Sequence, residues 1–288
     1  MSISITRTAL AVGVAGSLLA APPALARGAV YGGSTSNRQA IVVRTDAKAK
    51  KLTSAVIAWQ ATCKDGMNWA DSAEVVAVAA EPGFQPSRAE LMVSRNGRGK
   101  FAGTQLYSSS AGDLSAGIVV RISGHMTAKR ASGTLTAHVT MLDSAGQEQD
   151  SCDTGSVRWS ATRAAGHVFG GATSQAEPVV VRLDRTGRKV SDLMIGWGSQ
   201  RCVPDGYMNF GEFFSGFPVK SGRFGDSFTQ VYPLDDGSKV VFDYAVAGKV
   251  ARSGVRGSLH VTVKQTDPAG AEALNCDSGA ISYRALSG

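Results

Sequence analysis

The sequence has few of the residues that most often carry catalysis or bind metals. It contains four histidines and four cysteines in 288 residues. No two histidines have the H-x-x-x-H spacing and no two cysteines have the C-x-x-C spacing, so the short motifs typical of zinc sites are missing. We therefore predict that the protein has no cofactor and no such metal site, and that it is not an enzyme.

Charge is also scarce, since charged residues make up 18% of the chain and the formal net charge is +7. The densest basic runs are KAKK at 48–51 and RTGRK at 185–189, and both are typical of polar turns between strands. Because nucleic-acid binding needs a basic stripe or a recognised motif, we expect no nucleic-acid partner. The modest basic excess is compatible with attraction to an anionic polymer of a cell envelope.

A short apolar run lies at the N-terminus. Residues 1–26 contain one positive charge at Arg7, an apolar run from Ala9 to Ala21 and the small-x-small sequence Ala24-Leu25-Ala26. This order is typical of a secretory signal peptide, and the run is too short for a transmembrane helix. We expect cleavage near Ala26, a secreted or extracytoplasmic location, and no transmembrane segment in the mature chain.

The second half of the chain repeats the first. YGGSTSNRQAIVVRTD from Tyr31 matches FGGATSQAEPVVVRLD from Phe169, and SCDTGSVRWSA matches NCDSGAISYRA near the end of each copy. Intervening segments match in the same order, which indicates a duplication. We predict a β domain at 30–162, a linker at 163–167 and a second β domain at 168–288.

Each copy has two cysteines, and an exported location favours disulfides. Four cysteines allow three pairings, and pairing inside each copy treats both copies alike. We therefore predict the disulfides Cys63–Cys152 and Cys202–Cys276, with pairing across the domains as the alternative. In the chain-entropy model, each disulfide closed in this way stabilises the fold by roughly 4 kcal/mol.

Strand patterns fill both copies. In GTLTAHVTM, Leu135, Ala137, Val139 and Met141 alternate with polar residues, which is the period of a half-buried strand. Outside the N-terminal segment, no stretch of comparable length has a helical period. We predict an all-β fold of two duplicated antiparallel meander domains, each closed as a sandwich or a small barrel and each with one internal disulfide.

The aromatic residues divide into core positions and binding candidates. Trp59 and Trp197 occupy matching positions on apolar strand faces, so we assign both to the core. After the first cysteine, CKDGMNW in the first copy corresponds to CVPDGYMNF in the second, which then adds adjacent phenylalanines. Neighbouring residues of a strand face opposite sides, so one of those two rings points away from the core. The binding candidates are Trp69, Tyr207, Phe210, Phe213 and Phe214, with core or interdomain packing as the alternative.

Aspartates follow the cysteines in both copies. If the predicted disulfides form, they bring Asp65 near Asp153 and Asp205 near Asp277, and such carboxylates can contribute to a calcium site. Aspartate before glycine is also a common turn residue. The four aspartates are therefore calcium candidates, and a turn role is the favoured alternative.

One segment has the letters of a hydrolase motif. Gly225-Asp226-Ser227 resembles the serine block of GDSL hydrolases, in which an Asp-x-x-His serves the serine. This sequence contains no Asp-x-x-His, and the first copy has Gly103-Thr104 at the matching place. We therefore interpret the segment as a strand that follows a turn.

Three motifs occur in both copies: an opening Y/F-G-G-x-T/S-S, a W…C-x-D-G segment that the second copy lengthens by two residues, and a closing C-D-x-G-x-x-x-W/Y-x-A. With these motifs, nearly the whole mature chain resembles exported tandem-repeat all-β proteins of unknown function from high-GC actinobacteria. The resemblance implies secretion and a repeated all-β fold. It implies no reaction and no catalytic residue.

These observations predict an exported, non-enzymatic binding or envelope-associated protein. We expect it to recognise a polysaccharide or another exported protein through the loops after Cys63 and Cys202. The alternatives are a secreted hydrolase with an unrecognised site and a secreted protease inhibitor. A general substrate screen tests the first alternative, and the second requires an exposed rigid loop.

Overall fold

The computed structural model describes residues 28–46, 52–66, 68–76, 92–93, 99–111, 114–199, 201–204, 208–234 and 236–287. The predicted signal peptide at residues 1–26 lies outside them. The described residues form strands and no helix. The strands of the first half are β1 (Val30–Thr35), β2 (Ala40–Thr45), β3 (Leu52–Cys63), β4 (Asn68–Val76), β5 (Met92–Val93), β6 (Lys100–Ala111), β7 (Leu114–Met126), β8 (Arg130–Leu142), β9 (Glu148–Asp153) and β10 (Val157–Thr162). Those of the second half are β11 (Val168–Thr173), β12 (Pro178–Leu183), β13 (Lys189–Ser199), β14 (Arg201–Val203), β15 (Met208–Phe214), β16 (Phe217–Pro218), β17 (Arg223–Pro233), β18 (Lys239–Ala251), β19 (Gly254–Thr266), β20 (Glu272–Asp277) and β21 (Ile281–Ser287).

The first ten strands form one antiparallel sheet. Strands β1 to β4 follow one another as a meander, and β6 to β9 form a second meander. Strand β10 returns between β1 and β8, so the path β10-β1-β2-β3-β9-β8 closes into a ring of six strands. The structure thereby decides between the two predicted forms: this ring is a small barrel, and β4 to β7 extend from it.

The second sheet repeats this layout with strands β11 to β21. Strand β21 returns between β11 and β19, while β13 and β14, on either side of residue 200, pair with β12 and β20. We call the ring of the first sheet the first barrel, and the matching arrangement of strands in the second sheet the second barrel. The predicted fold class is confirmed: the chain is all-β, with two duplicated antiparallel units that each contain one disulfide.

The apolar strand faces fill the barrel interiors. All four residues predicted for the apolar face of β8 are buried, and Trp59 and Trp197 are among the largest fully buried side chains. Trp159 and its counterpart Tyr283 are also buried. The alternation of apolar and polar residues therefore predicted the core correctly, because the side-chain period of a strand is two.

Both predicted disulfides are confirmed. Cys63 lies opposite Cys152 across β3 and β9, and Cys202 lies opposite Cys276 across β14 and β20. The bonded cysteines are 89 and 74 residues apart in sequence. Each bond therefore ties an early strand of its barrel to a late one.

The two barrels pack against each other through β1 and β2 of the first and β11 to β13 of the second. A buried apolar cluster at this contact consists of Val30, Ala40, Val42, Val180 and Met194. Gly32 and Gly170 occupy matching positions, and an added methyl group at Gly32 would lie only 2.9 Å from Val180. The absence of side chains there lets the barrels approach closely.

In the described part of the chain, no helix has the length and apolar character that crossing a membrane requires.

Candidate functional site

Four of the five aromatic binding candidates lie among the described residues, and three of them face a core. Phe214 is buried, whereas Trp69 and Phe210 are partly buried and pack against the apolar interiors of their barrels. The Phe210 ring lies 5.5 Å from the Trp197 ring, measured between centroids. Tyr207 lies outside the described residues. Trp69, Phe210 and Phe214 thus stabilise the barrels by packing.

Phe213 faces away from the core and is 36% exposed. The guanidinium carbon of Arg38, in the turn between β1 and β2, lies 5.3 Å from the centroid of the Phe213 ring. Beside this cation–π contact, the Gln39 amide approaches the backbone of Gly211 so closely that a side chain at Gly211 would collide with it. The exposed face of β15 is therefore part of the contact between the barrels.

The reverse contact joins the second barrel to the first. Glu177 holds the position in the second copy that Gln39 holds in the first, and it lies beside Ser72 and Asp71 of β4. Burial, and to a lesser degree the charge of Asp71, raise the pKa of the Glu177 carboxyl to about 7, although a hydrogen bond with Ser72 opposes this shift. A carboxyl that titrates near neutrality is therefore built into the barrel contact.

Each half of the chain also contains a partly buried carboxyl that is hydrogen-bonded to a tyrosine. Tyr107 donates a hydrogen bond to Asp71 Oδ2 at 2.9 Å, and Tyr244 donates one to Glu212 Oε1 at 2.8 Å. Burial raises the pKa of both carboxyls. Such a group can serve as a general acid, but neither carboxyl lines the surface grooves described below.

Two histidine–aspartate pairs lie beside the disulfides. His138 Nδ1 is 3.1 Å from Asp153 Oδ1, and His260 Nε2 is 2.7 Å from Asp277 Oδ1. The sequence match between the copies leaves these histidines without counterparts, yet both reach the aspartate that follows the second cysteine. In the first barrel, Thr140 Oγ1 also lies 3.2 Å from His138 Nε2. Asp153 and Asp277, two of the calcium candidates, are thus engaged by histidines.

The other two calcium candidates are Asp65 and Asp205, and the described residues around them do not form a complete calcium site. Asp205 lies outside these residues. The ligand atoms of Asp65, Asp150 and Cys63 lie within 4.8 Å of one another, but the Cys63 sulfur is part of a disulfide. Two carboxylates remain at this place, whereas calcium takes about six to eight oxygen ligands.

Two surface grooves occupy overlapping places on the two barrels. The first-barrel groove, at β8 and β10, has a volume of about 540 Å³. Its lining includes Ser34, Ser132, Thr134, Ser160, Arg130 and Arg158. The second-barrel groove lies at β19 and β21, has a volume of about 210 Å³, and is lined by Lys249, Arg256 and Arg284. The first groove presents hydroxyl groups together with two arginines, and the second presents three cations.

The cations of the second groove belong to a longer line, which we call the cationic row. Arg223 lies directly opposite Lys249, Lys249 opposite Arg256, and Arg256 opposite Arg284. Directly opposed residues point to the same side of a sheet, and all four side chains are exposed. With strands about 4.8 Å apart, the row spans roughly 14 Å.

The cationic row could not be predicted from the sequence, because its members lie on four different strands. The one signal in the sequence is that each occupies an outward position of its strand, and their alignment depends on the register between strands.

Ser227 lies in β17, as the interpretation of its segment as a strand predicted.

No known protein-family model matches this chain, and no curated protein matches it significantly.

Proposed function

We propose that the chain is an exported, non-enzymatic, envelope-associated protein that binds a polysaccharide through the paired grooves of its barrels. The observation that carries this proposal is that a surface groove occurs on both barrels and that the two grooves overlap in position, at β8 and β10 of the first barrel and β19 and β21 of the second. A polymer with repeating units that is long enough to span the two grooves would engage both. Linked binding of this kind raises the overall affinity well above that of either groove alone.

The lining of the first groove suits a carbohydrate. Serine and threonine hydroxyls both donate and accept hydrogen bonds, as sugar hydroxyls do. Arg130 and Arg158 add charged donors, which bind acidic substituents more strongly than neutral donors do. Open grooves on the outer face of a sheet also accept the interior of a long chain, whereas a closed pocket accepts only a small molecule or a chain end.

Export is supported by the two disulfides, because such bonds form and persist in oxidising compartments. The N-terminal sequence has the order of a secretory signal peptide. In an extracytoplasmic location, the polymers of the cell envelope are the most abundant polysaccharides that the grooves would meet.

Co-sedimentation with purified bacterial sacculi tests this function. The chain, purified from an exporting host, is mixed with sacculi in 0.15 M salt, roughly the physiological level, and the pelleted fraction is measured. A cytosolic protein of similar size and net charge serves as the control. We expect the chain to pellet at least severalfold more than the control; equal pelleting contradicts the proposal.

A secreted hydrolase is the second candidate, and one observation favours it. Asp153, His138 and Thr140 follow one another at hydrogen-bonding distances, which is the order of acid, base and hydroxyl in serine-type hydrolases. A screen of ester, glycoside and peptide substrates tests it. Activity that is lost in Thr140→Ala would establish this candidate, and silence across the screen would reject it.

A further inference from the structure

We propose that the cationic row of the second barrel is a binding site for a linear phosphate-bearing polymer. The inference rests on the proposed function, because it names the chemical class of polymer that the second groove receives. It is carried by the alignment of four cations across β17, β18, β19 and β21.

The row is unfavourable for the isolated fold. Like charges that lie directly opposite each other on neighbouring strands destabilise a sheet, and the row contains three such pairs in succession. Within the described part of the chain, the ion pairs are Lys64–Glu148, His138–Asp153 and His260–Asp277, and none includes a residue of the row. A bound anion would offset the repulsion within the row.

The first barrel shows that the fold does not need these charges. Its equivalent line is Lys100 opposite His125, His125 opposite Ser132, and Ser132 opposite Ser160. Serine therefore occupies the places that Arg256 and Arg284 occupy in the second barrel. The complete row is a feature of one barrel, so packing alone does not explain it.

The side-chain chemistry points to phosphate. Three members of the row are arginines, and a guanidinium group presents paired N–H donors that match two oxygens of a phosphate. The cations recur from strand to strand at steps of about 4.8 Å, so a chain with regularly repeated anions can place several of them along the row. The exposed Leu286 at the edge of the groove offers apolar contact to the polymer backbone.

Binding to defined polymers tests the inference. The purified chain is titrated with four probes: long-chain sodium polyphosphate, polygalacturonate, neutral dextran and single-stranded oligothymidine. We expect polyphosphate to bind tightest, and its affinity to fall steeply as salt rises, as counterion release requires. Equal or tighter binding of polygalacturonate would overturn the phosphate assignment, and tighter binding of oligothymidine would identify a nucleic-acid site instead.

The first barrel supplies the variant that removes the row with least risk to folding. Arg256→Ser with Arg284→Ser installs the residues of the equivalent line. We expect this pair to weaken polyphosphate binding by about tenfold or more and to lower the slope of log affinity against log salt by about two. The control, Arg185→Ser with Arg188→Ser, removes the same charge from the exposed β12–β13 turn and should leave affinity within about twofold. Equal loss in both variants would show that net charge alone binds the polymer.

A gain of binding gives an independent check, because damage to the fold cannot imitate it. Ser132→Arg with Ser160→Arg completes the row on the first barrel, and we expect this variant to bind polyphosphate more tightly than the unchanged protein. The control adds the same charge by Ser→Lys changes in a turn far from the row, and it should produce a smaller gain. No difference would contradict the inference. If polyphosphate fails to bind while sacculi still retain the chain, the inference is wrong and the proposed function stands. If polyphosphate binds but sacculi do not retain the chain, the proposed function alone is rejected.

Discussion

At the scale of single residues, the adjacent phenylalanines Phe213 and Phe214 have opposite roles. Phe214 is 5% exposed, and its ring lies 5.2 Å from the Tyr244 ring between centroids. Phe213 points outward and pairs with Arg38 of the other barrel. Period-two alternation predicted that the two rings diverge, but it did not predict which ring faces the core, because that depends on the strand's register.

The two rings therefore respond differently to truncation. Phe214→Ala leaves a cavity among packed aromatic rings, and we expect it to lower the free energy of unfolding by about 3–5 kcal/mol. Phe213→Ala removes a partly exposed cation–π contact, which is worth about 1 kcal/mol or less. Chemical denaturation of both variants measures this; similar losses in the two would contradict the assignment.

Glu177 gives the molecule a predictable pH dependence. Its pKa is raised from 4.5 to about 7 in the folded state, so the folded protein holds this proton more tightly than the unfolded chain does. The contribution of the group to stability is fully present below about pH 4.5 and is lost as the pH rises through 7. That loss amounts to about 3 kcal/mol.

Glu177→Gln isolates this effect, because Gln39 already occupies the equivalent place in the first copy. We expect the stability difference between the variant and the unchanged protein to shift in favour of the variant as the pH rises from 5 to 8. Thermal unfolding at several pH values measures it. A difference that stays constant with pH would show that the carboxyl titrates normally.

At the scale of strands, the sequence predicted the strand pattern and the disulfide pairing, but not the register between strands. Apolar alternation over residues 133–141 located β8, which extends from Arg130 to Leu142, and the ends of an element are its least certain part. The repeat predicted the disulfide pairing. Register was beyond reach, since it is set by contacts between strands that are distant in the chain. For that reason the histidine–aspartate pairs and the cationic row emerge only from the fold.

The disulfides make a prediction at this scale. Cys63 and Cys152 close a loop of 89 residues, so replacing both by alanine should lower the stability of the first barrel by roughly 4 kcal/mol. Hydrogen exchange resolved along the chain is the measurement. We expect faster exchange in β3 and β9 and little change in β14 and β20, whose own disulfide is intact; uniform loss of protection would refute independent stabilisation.

At the scale of the whole molecule, the barrels form a pair through matched contacts. The turn between β1 and β2 packs on β15, and the turn between β11 and β12 packs on β4. The apolar cluster around Val42 and Val180 lies between these contacts. The duplication predicted two similar units, but it carried no information on how their surfaces meet.

A charge in the apolar cluster should separate the barrels. Val42→Asp buries an unpaired carboxylate, which is strongly unfavourable, whereas Val231→Asp places the same charge at a valine that is 55% exposed. We expect a larger radius of gyration by small-angle scattering and cleavage within residues 163–167 for Val42→Asp alone. An unchanged radius would contradict the role of the cluster.

Retention of the chain on sacculi, compared before and after hydrofluoric acid removes their phosphate-linked polymers, tests envelope binding and the phosphate site together. We expect strong retention on untreated sacculi, sharply reduced retention on stripped sacculi, and similarly reduced retention of the Arg256→Ser, Arg284→Ser variant on untreated sacculi. Equal and strong retention of the unchanged chain on both preparations would contradict the phosphate site, and retention on untreated sacculi no greater than that of the cytosolic control would contradict the proposed function.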